Sequence, residues 1–141
     1  MRLLLAILLI LALVTPSFTQ VWSNCGTAAD KFQITSVVLD PPTPVKGQPI
    51  TISASGDLDE TVTGGTVSVK VKYGFITLIN KSEGICSSQD PLSCPIAAGP
   101  YSKTITETIP ADAPSGKYTG NVVIVDQNNA EIACVDVDIN L

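Results

Sequence analysis

Histidine is absent from this chain of 141 residues, and arginine occurs once, at Arg2. Without histidine the commonest general base near neutral pH is missing, and Ser-His-Asp and Cys-His arrangements are excluded. Seven lysines stand against thirteen acidic residues, with no basic run, so nucleic-acid binding has no electrostatic footprint. The glycines form neither a GxGxxG nor a GxxxxGK[ST] loop, which leaves nucleotide binding unsupported. No CxxC pair is present, so zinc held through cysteine is not expected. Beyond Val14 no apolar run is long enough to span a bilayer. Together these absences argue against an enzyme.

The first nineteen residues read differently from the rest. Arg2 supplies a minimal charged start, Leu3 to Val14 is continuously apolar, and Thr15, Ser17 and Thr19 are small. That layout predicts a signal peptide, 1–19, cleaved to leave one domain over 20–141. Export brings the four cysteines into an oxidising compartment, where disulfides persist. Of the three possible pairings, Cys25–Cys134 with Cys86–Cys94 ranks first, because the alternatives cross the chain between distant elements. Asn80-Lys81-Ser82 is an N-glycosylation sequon, with Asn80 as acceptor.

From Phe32 onward the pattern is that of strands. Phe32, Ile34, Ser36 and Val38 alternate with Gln33, Thr35, Val37 and Leu39, up to Asp40-Pro41-Pro42. Val67, Val69, Val71 and Tyr73 share one face, against Ser68, Lys70 and Lys72 on the other. Gly74 interrupts that strand, and Phe75 to Ile79 is apolar on both parities, which predicts a bulge or a change of sheet there. Further strands follow at Tyr101–Ile109, Tyr118–Val125 and Glu131–Leu141, separated by Pro, Gly and Asn turns. Trp22 falls outside any strand the pattern assigns. At least six or seven strands without a helix predict an all-β fold, an immunoglobulin-like two-sheet antiparallel sandwich.

Two groups of carboxylates could carry chemistry. Asp57, Asp59 and Glu60 form an acidic cluster able in principle to hold calcium, but without the EF-hand pattern it reads as a solvated loop. Asp136 and Asp138 share a strand face, which is the ordinary wet face of a sheet before it is a glycosidase pair. With no imidazole, any pH response must come from carboxylates and lie below the histidine range.

Once strands and cysteines are placed, an ordered set of motifs stands out. It runs Trp22-Ser-Asn-Cys25-Gly26, Pro41-Pro42 with Gly47, Val69-Lys-Val-Lys-Tyr-Gly74, Cys86, Cys94-Pro95-Ile96, Gly116-Lys-Tyr118 and Ile132-Ala-Cys134. This set resembles the ML-domain lipid-recognition family, which includes the Niemann-Pick type C sterol carrier, and most of all its phosphatidylglycerol/phosphatidylinositol transfer branch. The resemblance implies sheets splayed around an internal apolar cavity for lipid, and the Cys25–Cys134 and Cys86–Cys94 pairings. The sterol branch has a further disulfide in its early loop, where this chain has no cysteine.

A carrier meets a definite energetic need. At about 0.8 kcal/mol per methylene, a sixteen-carbon tail resists water by roughly 12 kcal/mol. The candidate cavity walls are Val67, Val69, Val71, Tyr73, Ile105, Val122, Ile124, Val135 and Val137. Phe75, Ile76 and Leu78 are expected at its entrance, in transient contact with a membrane. Lys70, Lys72, Lys81 and Lys103 are candidates for a rim meeting a lipid headgroup. The expected partner is a phospholipid or sterol, bound as ligand with no cofactor and no metal. The protein is expected to be a monomer of the secretory pathway, secreted or in the lysosomal or endosomal lumen. The competing reading is an extracellular adhesion or scaffold module with a filled core.

Overall fold

Eight strands build the computed structural model, which describes residues 21–86 and 93–141. The expected signal peptide and most of the stretch between Cys86 and Cys94 lie outside the described residues. In chain order the strands are β1 (Trp22–Asn24), β2 (Phe32–Asp40), β3 (Pro49–Leu58), β4 (Gly65–Tyr73), β5 (Ile76–Gly84), β6 (Gly99–Thr108), β7 (Lys117–Asp126) and β8 (Glu131–Asn140). They form two antiparallel sheets, a five-stranded one in the order β1-β8-β7-β4-β5 and a three-stranded one in the order β2-β3-β6. No helix among the described residues is long and apolar enough to cross a membrane. The architecture is the immunoglobulin-like sandwich read from the sequence.

Three local expectations change. Trp22 belongs to a strand after all: the short β1 pairs with β8 in the register Trp22↔Val137. Three residues carry too little alternation to be recognised alone. In β2 the register shifts between Ile34 and Ser36, so the parity flips at Thr35. Val37 and Leu39 therefore continue the inward row of Phe32 and Ile34, and Val38 turns outward at 55% exposure. At Gly74 there is neither bulge nor sheet change. Gly74, at φ 56°, and Phe75 form the tight turn of the β4–β5 hairpin. The bulge expected over Phe75–Ile79 is present at Leu78, the extra residue where the pairing passes from Val71↔Ile79 to Lys72↔Thr77.

The packed part of the core sits at one end, called here the floor. Leu58, Val62, Ile85, Ile132 and Ala133 are buried together there, and a lone bridge pairs Val62 with Ile96. At the opposite end, the tip, Tyr73 and Tyr118 stack with ring centroids 5.0 Å apart. Their hydroxyls donate to the carbonyls of Ser115 and Pro114, both at 2.8 Å. Gly116 is required beneath them, because a Cβ there would lie 2.9 Å from the Tyr73 ring. Disulfides join Cys25 to Cys134 and Cys86 to Cys94, with Cα separations of 5.0 and 5.5 Å.

Candidate functional site

Between floor and tip the sheets do not close on each other. Strand β2 comes up against β8, so the two orders run over one another with β6 on the side of β4 and β5. Both β5 and β6 are edge strands. The inward side chains Ile76 and Ile79 of β5 and Ile105 of β6 stay exposed, so the gap between the sheets is open to solvent along them. Within lies a cavity of about 340 Å³, inside the range of small-molecule pockets. The large sheet contributes Val67, Ile124, Ile132 and Ala133, and the small sheet Phe32, Ala54, Leu58, Tyr101, Lys103 and Ile105. Val62, Ile85 and Ile96 complete it from the floor. Apart from the Tyr101 hydroxyl and the Lys103 ammonium, the side chains of this wall are hydrocarbon.

The register explains which sequence candidates meet there. Val67, Ile124 and Ala133 are cross-strand partners in one row and share the inner face. Ile105 occupies the matching face of β6, opposite Ile52. Val67, Ile105 and Ile124 therefore line the cavity. Val69, Val122 and Val135 form the next inward row, and Val71 and Val137 flank Gly120 in the row after, above the cavity toward the tip. Tyr73 pairs with Tyr118 at the tip itself. These residues share the inner face without lining the cavity. Phe32, Ala54 and Tyr101, which the sequence reading missed, do line it. Period-two spacing from Lys103 and Ile105 reaches Tyr101, but the β2 bulge obscures the row of Phe32.

The lysines divide into two pairs. Lys103 lines the cavity from β6, and Lys81 faces inward from β5, opposite Val69. Both lie along the open side. Lys70 and Lys72 point to the outer face of the large sheet, away from the cavity. There they border a polar depression of about 460 Å³ with Ser23, Asn121, Asp136 and Asp138. Asn121 donates to Asp136 at 2.7 Å in that depression, and Lys117 pairs with Asp138 at 3.5 Å. Asp136 and Asp138 are thus engaged on an outer face. Among the described residues no three His, Cys, Asp or Glu side chains group as a metal site, the Asp57–Glu60 stretch included.

The open side and the tip are apolar where they meet solvent. Phe75 is fully exposed at the end of its hairpin, followed by Ile76 at 60%, Leu78 at 53% and Ile79. Ile76 pairs with Tyr73 and Ile79 with Val71, so both stand on the inward-facing side of β5. Charge is distributed unevenly along the same axis. Near the floor, Asp30, Asp57, Asp59, Glu60, Glu83, Asp126 and Glu131 have only Lys31 beside them. The other six lysines lie between the middle of the sandwich and the tip, interspersed with Asp40, Glu107, Asp112, Asp136 and Asp138, so the floor is the more acidic end. At the floor, burial and the neighbouring Asp30 push the Glu131 carboxyl above its usual range.

Residues 19–141 match the family described as the ML domain. A Dictyostelium discoideum protein with the provisional name phosphatidylglycerol/phosphatidylinositol transfer protein is 84% identical over 141 residues, covering 100% of both chains. The phosphatidylglycerol/phosphatidylinositol transfer protein of Mycosarcoma maydis is 33% identical, over 89% of this chain and 67% of its own. Among solved structures, a Niemann-Pick type C2 protein from Japanese carpenter ant superposes with a TM-score of 0.67 at 13% identity, covering 86% of this chain and 98% of that one. Chicken MD-1, solved in complex with lipid IVa, gives 0.62 at 19% identity, covering 84% and 87%. At such identities the likeness is one of fold.

Proposed function

The chain belongs to the ML domain family, and from the cavity between its sheets we propose that it is a lipid carrier, not an enzyme. It takes the apolar part of a phospholipid out of one membrane and delivers it to another. The observation that carries this reading is the cavity wall, hydrocarbon from both sheets and open along β5 and β6. The relatives' names favour phosphatidylglycerol or phosphatidylinositol as the cargo over sterol. In this reading the tail lies against Val67, Ile105 and Ile124. The headgroup stays at the open side, where Lys81 and Lys103 can meet its phosphate. Organic extraction of the purified protein followed by mass spectrometry should return a stoichiometric phospholipid. A clean extract, with no uptake of labelled lipid from vesicles, would leave the adhesion or scaffold module as the better reading.

Delivery requires contact with a bilayer, and the tip is built for it. Phe75, Ile76 and Leu78 present exposed apolar surface beside the open side. The floor, as the more acidic end, would be turned away from an anionic membrane, which leaves the tip facing it. Burying a Phe or Ile side chain gains about 1.5–3 kcal/mol. Replacing Phe75 and Ile76 by serine should therefore slow transfer between anionic vesicles by about tenfold or more. The far-ultraviolet spectrum and melting temperature should stay as they were, since neither side chain packs in the core. Equal transfer rates in wild type and double mutant would remove the tip from the mechanism.

The same reading includes export to the secretory pathway, with removal of residues 1–19 and a glycan on Asn80. Asn80 is exposed on edge strand β5, across from Lys70 on the outer face, where a glycan would not obstruct the cavity. The intact mass of protein from its native secretory route, before and after N-glycosidase, should show both modifications.

A further inference from the structure

We propose that Glu60 and Asp126 share one proton across the seam beneath the cavity, and that this proton latches the floor, so that lipid is held more tightly in mild acid than at neutral pH. The second half rests on the carrier reading above. Asp126 closes β7 and is only 3% exposed. Its Oδ1 accepts the backbone N–H groups of Asn128 at 2.7 Å and Ala130 at 2.9 Å. Its Oδ2 is buried and receives no hydrogen bond, and the same holds for Oε1 of Glu60. These two carboxyl groups meet each other. Two ionised carboxylates have only acceptors to offer, and buried acceptors without donors are costly. One proton between them converts the clash into a charge-assisted O–H···O bond.

The surroundings decide which group holds the proton. Lys31 faces both carboxyls, and Asp59 stands on the Glu60 side. For Asp126, burial pushes the pKa upward, but the bonds from Ala130, Glu60 and Asn128 outweigh it and hold the carboxyl below its ordinary value. Glu60 is raised, first by its bond to Asp126 and then by burial. The proton therefore belongs to Glu60. A raised group stabilises the fold fully in acid, and that contribution is lost as pH rises through the folded value. A lowered group behaves in the opposite sense, losing its contribution as pH falls through the folded value. The latch is thus strongest between the lowered Asp126 and the raised Glu60, a window that straddles their ordinary values of 3.8 and 4.5 and extends beyond both.

Its position links the latch to the cargo. Glu60 lies two residues from Leu58 and two from Val62, both in the cavity floor. The same connection is tied to the β7–β8 turn by Thr63 N–H donating to Gln127 at 3.1 Å and by Gln127 donating to the Thr61 carbonyl at 3.4 Å. Ionising Glu60 sets two negative charges against each other inside this seam and loosens the floor under the lipid tail.

Carboxyl-carbon NMR titration of the mature protein, as wild type, Glu60→Gln and Asp126→Asn, tests the shared proton. We expect Glu60 to titrate above the ordinary glutamate range and Asp126 below the ordinary aspartate range. In Asp126→Asn, Glu60 should move back down, because its carboxylate partner is gone. Ordinary titration of both groups in wild type would overturn the proposal. Release of a labelled phosphatidylglycerol from the loaded protein, compared at a pH below and a pH well above the Glu60 midpoint found in that titration, tests the latch. Wild type should release several-fold faster at the higher pH. Glu60→Gln should be flat, since its amide donates to Asp126 at every pH. Shifted titrations with pH-independent release would overturn the latch alone. Shifted titrations with no lipid bound at any pH would overturn the carrier reading and leave the shared proton standing.

Discussion

Replacing Ala54 by tryptophan should abolish lipid transfer while leaving the sandwich folded. Ala54 lies in the middle of β3, paired with Val37 on one side and Lys103 on the other, and its methyl group faces the cavity. An indole there would project into empty space, and it would occupy much of a void of about 340 Å³. Keeping even five methylenes of the tail in water forfeits about 4 kcal/mol at 0.8 per methylene. That is an affinity loss approaching a thousandfold. Two controls separate blocking from damage. Thr104→Trp, on the outer face between Lys103 and Ile105, should transfer lipid like the wild type. Ala133→Trp falls on a wall position only 4% exposed within the packed floor, so overpacking should destabilise it. Normal transfer by Ala54→Trp would show that the tail lies elsewhere.

The contrast between these positions also shows what could be read from residues alone. Alternation placed Val67, Val69, Val71 and Tyr73 on the inner face of β4, and the register agrees. Whether an inward valine touches a neighbour or a void is decided by the distance between two sheets. That distance is set by elements far apart in the chain, and period-two patterning carries no information about it. Val67 and Val71 look alike in sequence, yet one lines the cavity and the other lies nearer the tip. Parity failed at Thr35, because a single extra residue reverses every side chain beyond it and sends Val38 outward. Parity held at Lys70 and Lys72: the strand's own alternation puts them on the outer face, away from the inner face that a headgroup role requires. Lys81 escapes that fate because β5 runs back beside β4 and pairs it with the inward Val69. Glu60 and Asp126, 66 residues apart, meet only because the connection after β3 packs against the β7–β8 turn. The cysteines were more legible, since a pairing that ties the two ends of one small domain is topologically simple.

Removing the Cys25–Cys134 bridge should cost far more stability than removing Cys86–Cys94. A cross-link acts chiefly by restricting the unfolded chain, and its effect grows with the loop closed. The first bridge spans a sequence separation of 109, worth about 5 kcal/mol on the chain-entropy estimate. The second spans 8, worth about 2.5 kcal/mol. Total stability of a domain this size is about 5–15 kcal/mol, so the longer bridge is a large share of it. The share is larger still in a sandwich with a cavity in place of part of its core. Among the described residues, Val62 is the sole side chain below 2% exposure, and the cavity walls forgo the contacts a filled interior would supply. Melting followed by circular dichroism should show Cys25→Ser/Cys134→Ser falling by about 15–30 °C, at about 3–6 °C per kcal/mol. Cys86→Ser/Cys94→Ser should fall by about half as much. Equal losses in the two variants would mean that the bridge near the chain ends is not what allows the two sheets to stand apart.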